Sequence, residues 1–168
     1  VDMITRLRAV SEAARDDAAV RVFILRGNGP EFLAGGDVAL FHANLPTLPA
    51  MVEELAAELH PAIVALRDAA KPVLASVHGA VAGAGVSLLA AADLAIAGAD
   101  TKFTLAYSRI AASPDGGSTY FLPRIVGTRK ALELMMLADT FDAATALDLG
   151  LVNWVVTDAE LAAATDTI

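Results

Sequence analysis

Short segments that are apolar at nearly every position constrain this chain most. They are "VRVFILRG" (20–27), "KPVLASVHG" (71–79), "LAIAGA" (94–99), the shorter "KFTLA" (102–106) and "VNWVV" (152–156). Runs this brief and this continuous read as buried strands, and burial on both faces requires helices on either side of the sheet. Helical spacing fills the gaps. Residues 2–16 carry Ile4, Leu7 and Val10 between charges, and residues 50–69 run through Met51, Leu55, Leu59, Ile63 and Leu66, with Pro61 predicting a kink or a restart. "GAGVSLLAAAD" reads as a small-residue helix opening on glycine. "GGSTYFLPRIVG", "RKALELMML" and "AATALDLG" read as three short helices, and "DAELAAATDTI" begins another. The alternation predicts an α/β fold of mostly parallel sheets covered by helices, in one domain over 1–168.

With 168 residues, 56% of them hydrophobic, there is material for a substantial core. The formal charge of −8, with no Lys/Arg-rich run against it, argues against nucleic acid or an anionic membrane as partner. There is no cysteine, which excludes disulfides and thiolate metal sites. The longest apolar run, "GAVAGAGVSLLAAADLAIAGA", is broken by glycines, Ser87 and Asp93, and reads as a buried helix rather than a membrane span. The opening residues look like mid-helix and not like a signal peptide, so a cytoplasmic setting is expected.

The usual cofactor and nucleophile motifs do not fit. Glycines 79, 83 and 85 do not have the G-x-G-x-x-G spacing, and no lysine follows them in a phosphate-binding loop. "GVSLL" has Leu89 where a nucleophile elbow needs glycine. His42, His60 and His78 lack the spacing of metal ligands, and no metal site is expected.

What stands out instead is a pair of glycine-rich segments, "FLAGGDV" (32–38) and "GAVAGAGVS" (79–87), each following a strand. Adjacent glycines cost entropy to order, so they mark either a turn with close packing or a close approach of backbone to ligand. The second segment opens a helix, whose free N–H groups favour developing negative charge. Two such N–H groups aimed at one carbonyl oxygen would make an oxyanion hole.

Together, in this order, the segments resemble the crotonase, or enoyl-CoA hydratase/isomerase, superfamily. "VRVFILRGNGPEFLAGGDV" looks like its strand, turn and first oxyanion segment, and "KPVLASVHGAVAGAGVSLLAAADLAIAGADTKF" like its second. "SPDGGSTYFLPRIVGTRKALELMML" and "ALDLGLVNWVV" continue the resemblance over essentially the whole chain. It implies a spiral of β-β-α turns, acyl-CoA thioester substrates with coenzyme A as part of the substrate and no tightly bound cofactor, and a homotrimer or dimer of trimers. The family's opening hairpin and C-terminal helical region have no counterpart here, so the chain reads as a fragment.

By position, the resemblance makes the N–H groups of Gly36 and Ala84 the oxyanion donors, with Gly36 small so that the thioester oxygen can reach its nitrogen. Ala34, Asp37, Val38 and Val81 would lie at the substrate, as would Gly83, Ser87, Tyr107 and Ile110; Asp37 is also expected to cap the turn that follows it. Hydratases of the family place glutamates where this chain has Ser87 and Tyr107, residues unsuited to activating water and returning a proton near neutral pH. Those two side chains are expected to shape the acyl pocket. Asp115, in "SPDGG", matches the base of certain enoyl-CoA isomerases and the nucleophile of 4-chlorobenzoyl-CoA dehalogenase, and His60 matches that dehalogenase's general base. Each also has a plainer reading: Asp115 as a turn and helix cap, His60 as a partly buried histidine bonded to backbone. The resemblance therefore implies an enoyl-CoA isomerase working through a stabilised enolate. The alternatives are a hydratase with displaced acid and base, a hydrolase or dehalogenase using Asp115 and His60, and a non-catalytic CoA-thioester binder.

Overall fold

Strand β2 (Val73–Val77) is buried at every position, and its neighbours explain why. The computed structural model describes residues 2–168. In it β2 lies between β1 (Phe23–Arg26) and β4 (Leu94–Gly98), and β7 (Trp154–Val156) completes a parallel sheet in the order β1-β2-β4-β7. The two faces of β2 have different occupants. Leu74 joins Ile96 in a cluster with Leu161 of α8 (Leu161–Thr167), where the Ser76 and Thr165 hydroxyls meet at 2.8 Å. Val73, Ala75 and Val77 face the opposite way, into the larger cores. A central strand with helices on both sides is apolar throughout because no position reaches water.

The edge strand behaves differently. The sequence reading takes 20–27 as one buried strand, but only Phe23–Arg26 is a strand and its burial alternates, with Ile24 42% exposed. Phe23 points into a core cluster, while Ile24, on the opposite face, is left open among the described residues.

Helix α1 (Asp2–Asp16) packs along α3 (Leu48–Asp68), so that Ile4 and Leu7 meet a cluster of Leu59, Ile63, Leu66, Phe23 and Val73. Helix α3 passes through Pro61 as one element, and the restart predicted there does not occur. A second sheet, β3-β5-β6, contains β3 (Ala80–Ala82), β5 (Lys102–Thr104) and β6 (Phe141–Asp142). Its first pair is parallel, its second antiparallel, and Phe103 stacks on Phe141 with centroids 5.4 Å apart.

Successive strands thus alternate between sheets before each helix. β2 and β3 lead into α4 (Ala84–Ala90), and β4 and β5 lead through a one-turn 3-10 helix (Tyr107–Ile110) to α5 (Ser118–Ile125). This is the spiral of β-β-α turns that the family resemblance implies. The remaining helices are the short α2 (Val38–Ala43), α6 (Thr128–Leu137) and α7 (Ala143–Asp148). Among the described residues, no helix is long and apolar enough to cross a membrane.

Candidate active site

The two glycine-rich segments lie side by side. Leu33 bridges Val81 in parallel, through Leu33 N–H to Ala80 O at 3.2 Å and Ala82 N–H to Leu33 O at 2.8 Å. A Cβ added at Gly85 would stand 2.3 Å from Leu33 O, so at 85 glycine is required by backbone packing. A Cβ at Gly83 would lie 3.7 Å from Gly35 Cα, which places the residues just before Gly36 and Ala84 next to each other. Gly83 has φ 51° and ψ −118° and ends the strand so that α4 starts at Ala84.

Among the described residues, neither the Gly36 nor the Ala84 N–H donates a hydrogen bond to protein. Ala84 is the first residue of α4, where a helix leaves N–H groups free by construction. Beside Gly36 the structure shows a neighbour that the sequence does not reveal: the Phe41 ring, whose Cζ would stand 2.6 Å from an added Cβ. A side chain at 36 would have to displace the Phe41 ring, the far end of a half-buried side chain, whereas at 85 the obstacle is backbone. Asp37 caps α2, its Oδ1 accepting from Leu40 N–H at 2.9 Å.

Ser87 lies one helical turn beyond Ala84, and there the polar side chains gather. Tyr107 donates its hydroxyl to Asp115 Oδ1 at 2.6 Å, and Ser87 Oγ lies 3.0 Å from the Tyr107 oxygen. A carboxylate can only accept, so the phenol proton points to Asp115 and Ser87 must donate to Tyr107. Ser87 is fully buried and Tyr107 only 8% exposed. A buried hydroxyl without a partner would cost about 1–3 kcal/mol, which this arrangement avoids. Gly116 packs onto Ser87, since a Cβ there would stand 2.8 Å from Ser87 Cβ. The 3-10 turn holding Tyr107 is bracketed by non-glycine residues of positive φ, Ala106 at 29° and Ala111 at 54°. Such conformations cost of order 1 kcal/mol and persist where the surroundings impose them.

The Asp115 carboxylate does not cap α5. The main-chain carbonyl of Asp115 accepts from Ser118 N–H at 3.0 Å and Ser118 Oγ–H at 2.8 Å, and the side chain is left to Tyr107. His60 is exposed on α3 rather than partly buried, and its Nε2 accepts from Gly116 N–H at 3.4 Å, one residue from Asp115. Next to these groups, between α3 and α5, is a cavity of about 490 Å³ lined in part by His60, Ile63, Gly116, Gly117, Tyr120 and Phe121.

Burial first, and then the bond to Asp115, push the Tyr107 phenol well above its ordinary range; the bond from Ser87 offsets part of this. A group whose folded pKa is raised stabilises the fold below its unfolded pKa and loses that contribution as pH climbs toward the folded value. Tyrosine in the unfolded chain ionises near about 10. Above that pH, stability is expected to fall by up to about 1.4 kcal/mol per unit from this group. Denaturant melts from pH 9 upward check this: Tyr107→Phe should show a shallower decline than the parent, and parallel declines would refute it.

The structure thus gathers Ser87, Tyr107, Asp115 and His60 around one spot, with Gly83 and Ala84 a turn away on α4 and Ala34 and Gly36 on the adjoining segment. Val81 departs from expectation. Its side chain is fully buried in the main core, so it supports the bridge to Leu33 and cannot touch substrate itself. Val38 and Ile110 are exposed, at the start of α2 and the end of the 3-10 turn. Sequence reasoning missed Ile63, Phe121 and Phe41. Ile63 follows His60 by three residues on α3, and helical spacing alone could have placed both at one cavity. Phe41 and Phe121 gave no such signal. Among the described residues, no group of three or more His, Asp or Glu side chains gathers that could hold a metal.

A family model described as enoyl-CoA hydratase/isomerase matches residues 1–166. A Rhodobacter capsulatus protein named a probable enoyl-CoA hydratase is 38% identical over 157 residues, covering 92% of this chain and 58% of that protein. The 1,2-epoxyphenylacetyl-CoA isomerase of Escherichia coli is 35% identical over 155 residues, covering 91% and 58%. The crystal structure of an enoyl-CoA hydratase from Polaromonas sp. JS666 superposes with a TM-score of 0.89 at 33% identity, covering 98% of this chain and 64% of that one. The chain spans about three fifths of the length of these relatives.

Proposed function

The chain belongs to the enoyl-CoA hydratase/isomerase family, and from that premise we propose that it acts on acyl-CoA thioesters as an enoyl-CoA isomerase. Asp115 removes a proton made acidic by the thioester carbonyl, the enolate oxygen is held by the Gly36 and Ala84 N–H groups, and the same carboxyl returns the proton at another carbon. The observation that carries this reading is the place of Asp115. It is the carboxylate bonded directly to Tyr107, and through Tyr107 to Ser87, the positions at which family hydratases place glutamates. One carboxylate that takes and returns a proton suffices for isomerisation, whereas hydration needs one group to activate water and another to protonate carbon. The cavity beside Gly116 and His60 offers room for an acyl group. Coenzyme A enters as part of the substrate, no resident cofactor is required, and assembly as a homotrimer or dimer of trimers belongs to the same reading.

Relatives carry both names, hydratase and isomerase, so hydration is the second reading. A third, in which Asp115 attacks as nucleophile with His60 as base, is supported by His60 standing beside Gly116, one residue from Asp115. Turnover by the full-length protein separates them. A 3-enoyl-CoA should be converted to the 2-enoyl isomer, with solvent deuterium entering the acyl chain, while crotonyl-CoA hydration should be slower by about two orders of magnitude. Fast crotonyl-CoA hydration would overturn the isomerase reading, and binding without turnover of any acyl-CoA would favour a non-catalytic binder.

A further inference from the structure

We propose that Tyr107 is a positioning residue for Asp115, held in place by Ser87, so that the side chains standing where family hydratases place glutamates form a one-way hydrogen-bonded support for a single base. This rests on reading Asp115 as the base. The order is fixed by chemistry: Ser87 donates to Tyr107, and Tyr107 donates to Asp115 Oδ1. Among the described residues, no other side chain or backbone group donates to the Asp115 carboxylate. Its direction therefore depends on Tyr107. With Oδ1 engaged, Oδ2 is the oxygen free to take the proton.

The support is built rather than incidental. Ser87 and Tyr107 are both buried, Gly116 closes against Ser87 Cβ, and the left-handed Ala106 and Ala111 hold the turn that carries the phenol. The groups around Asp115 are Tyr107 from the 3-10 turn, Ser87 from α4 and His60 from α3, the last bonded to Gly116 N–H and not to the carboxylate. In the reaction the substrate C–H bond breaks, its electron pair passes into the enolate, and the proton goes to Oδ2. On return that O–H bond breaks and a new C–H bond forms. The Tyr107 proton stays on its own oxygen in both steps, which suits a phenol whose burial opposes ionisation. Tyr107 aims the base without exchanging protons with substrate.

The test is steady-state turnover of a 3-enoyl-CoA by the full-length protein and its Tyr107→Phe, Ser87→Ala, double and Asp115→Asn variants, with solvent-deuterium entry measured alongside. A hydrogen bond to a charged group is worth about tenfold or more in rate, so Tyr107→Phe should lower kcat and deuterium entry by that factor with KM changed less than about twofold. Ser87→Ala should lower kcat by about threefold, and the double variant should be no slower than Tyr107→Phe, because Ser87 acts only through the phenol. An unchanged kcat in Tyr107→Phe, a change confined to KM, or single effects that multiply would overturn the proposal. Should Tyr107→Phe fail to fold, Ser87→Ala carries the same split between kcat and KM. The two readings fail differently. Full activity in Asp115→Asn removes the base assignment, whereas an inactive Asp115→Asn beside a normal Tyr107→Phe removes only the support.

Discussion

Asp115→Asn is expected to lower turnover of a 3-enoyl-CoA by about 100- to 10,000-fold, the range over which a positioned general base contributes. The substitution suits the question because it changes little else. An asparagine carbonyl still accepts from Tyr107, so the bonds from Ser87 through Tyr107 survive. The bonds that start α5 go to the main-chain carbonyl of residue 115, which the substitution leaves alone. Stability should therefore change by about 1 kcal/mol, the difference between a charged and a neutral acceptor for the Tyr107 hydroxyl. What is lost is the negative charge and with it the capacity to take a proton. Activity within a few-fold of the parent would show that Asp115 is not the base. Labelled water distinguishes base from nucleophile. Heavy oxygen appearing in the Asp115 carboxyl after turnover marks covalent attack, while deuterium in the substrate with no label in the protein marks proton transfer.

How much of this was legible in advance depended on whether a residue's environment is set locally. "KPVLASVHG" declared a central strand because a position shielded on both faces must be apolar, and β2 is shielded on both. "VRVFILRG" carries the same signal, but nothing in it shows that the face carrying Ile24 is left open among the described residues. β3 escaped notice since Ala80, Val81 and Ala82 are too few to show a period, and α2 because no residue of it is buried. At the site, the glycine pattern marked the two segments that lie side by side, as close backbone approach leaves a mark in the sequence itself. The reasons were less legible. Gly85 is enforced by Leu33 O from another segment, and Gly36 lies beside the Phe41 ring, five positions on. Ser87, Tyr107 and Asp115 were each marked singly, but their bonding depends on the 3-10 turn carrying the phenol inward, which no spacing of 20 and 8 residues encodes.

Ala84→Pro should test the oxyanion hole at its backbone, where ordinary side-chain changes cannot reach. Residue 84 is the first of α4, and proline is favoured at that position: its fixed φ suits the first turn and its missing N–H is one the helix does not use. The preceding residue, Gly83, has no Cβ to clash with the proline ring. Since Ala84 N–H donates to no protein group among the described residues, removing it breaks no bond in the free protein. A purely structural view predicts a protein of near-parental stability and activity. If the N–H holds the enolate oxygen, the stability should be similar but kcat should drop by about 100- to 1,000-fold, the loss seen when one oxyanion donor is deleted. The loss belongs in kcat because charge accumulates on that oxygen only as the enolate forms, so ground-state binding of the thioester changes far less. A backbone ester at 84, which deletes the N–H without a ring, separates donor loss from any strain that proline adds. Parental kcat in both variants would take Ala84 out of the hole, and with it the account of why a helix opens on "GAG" beside "AGG".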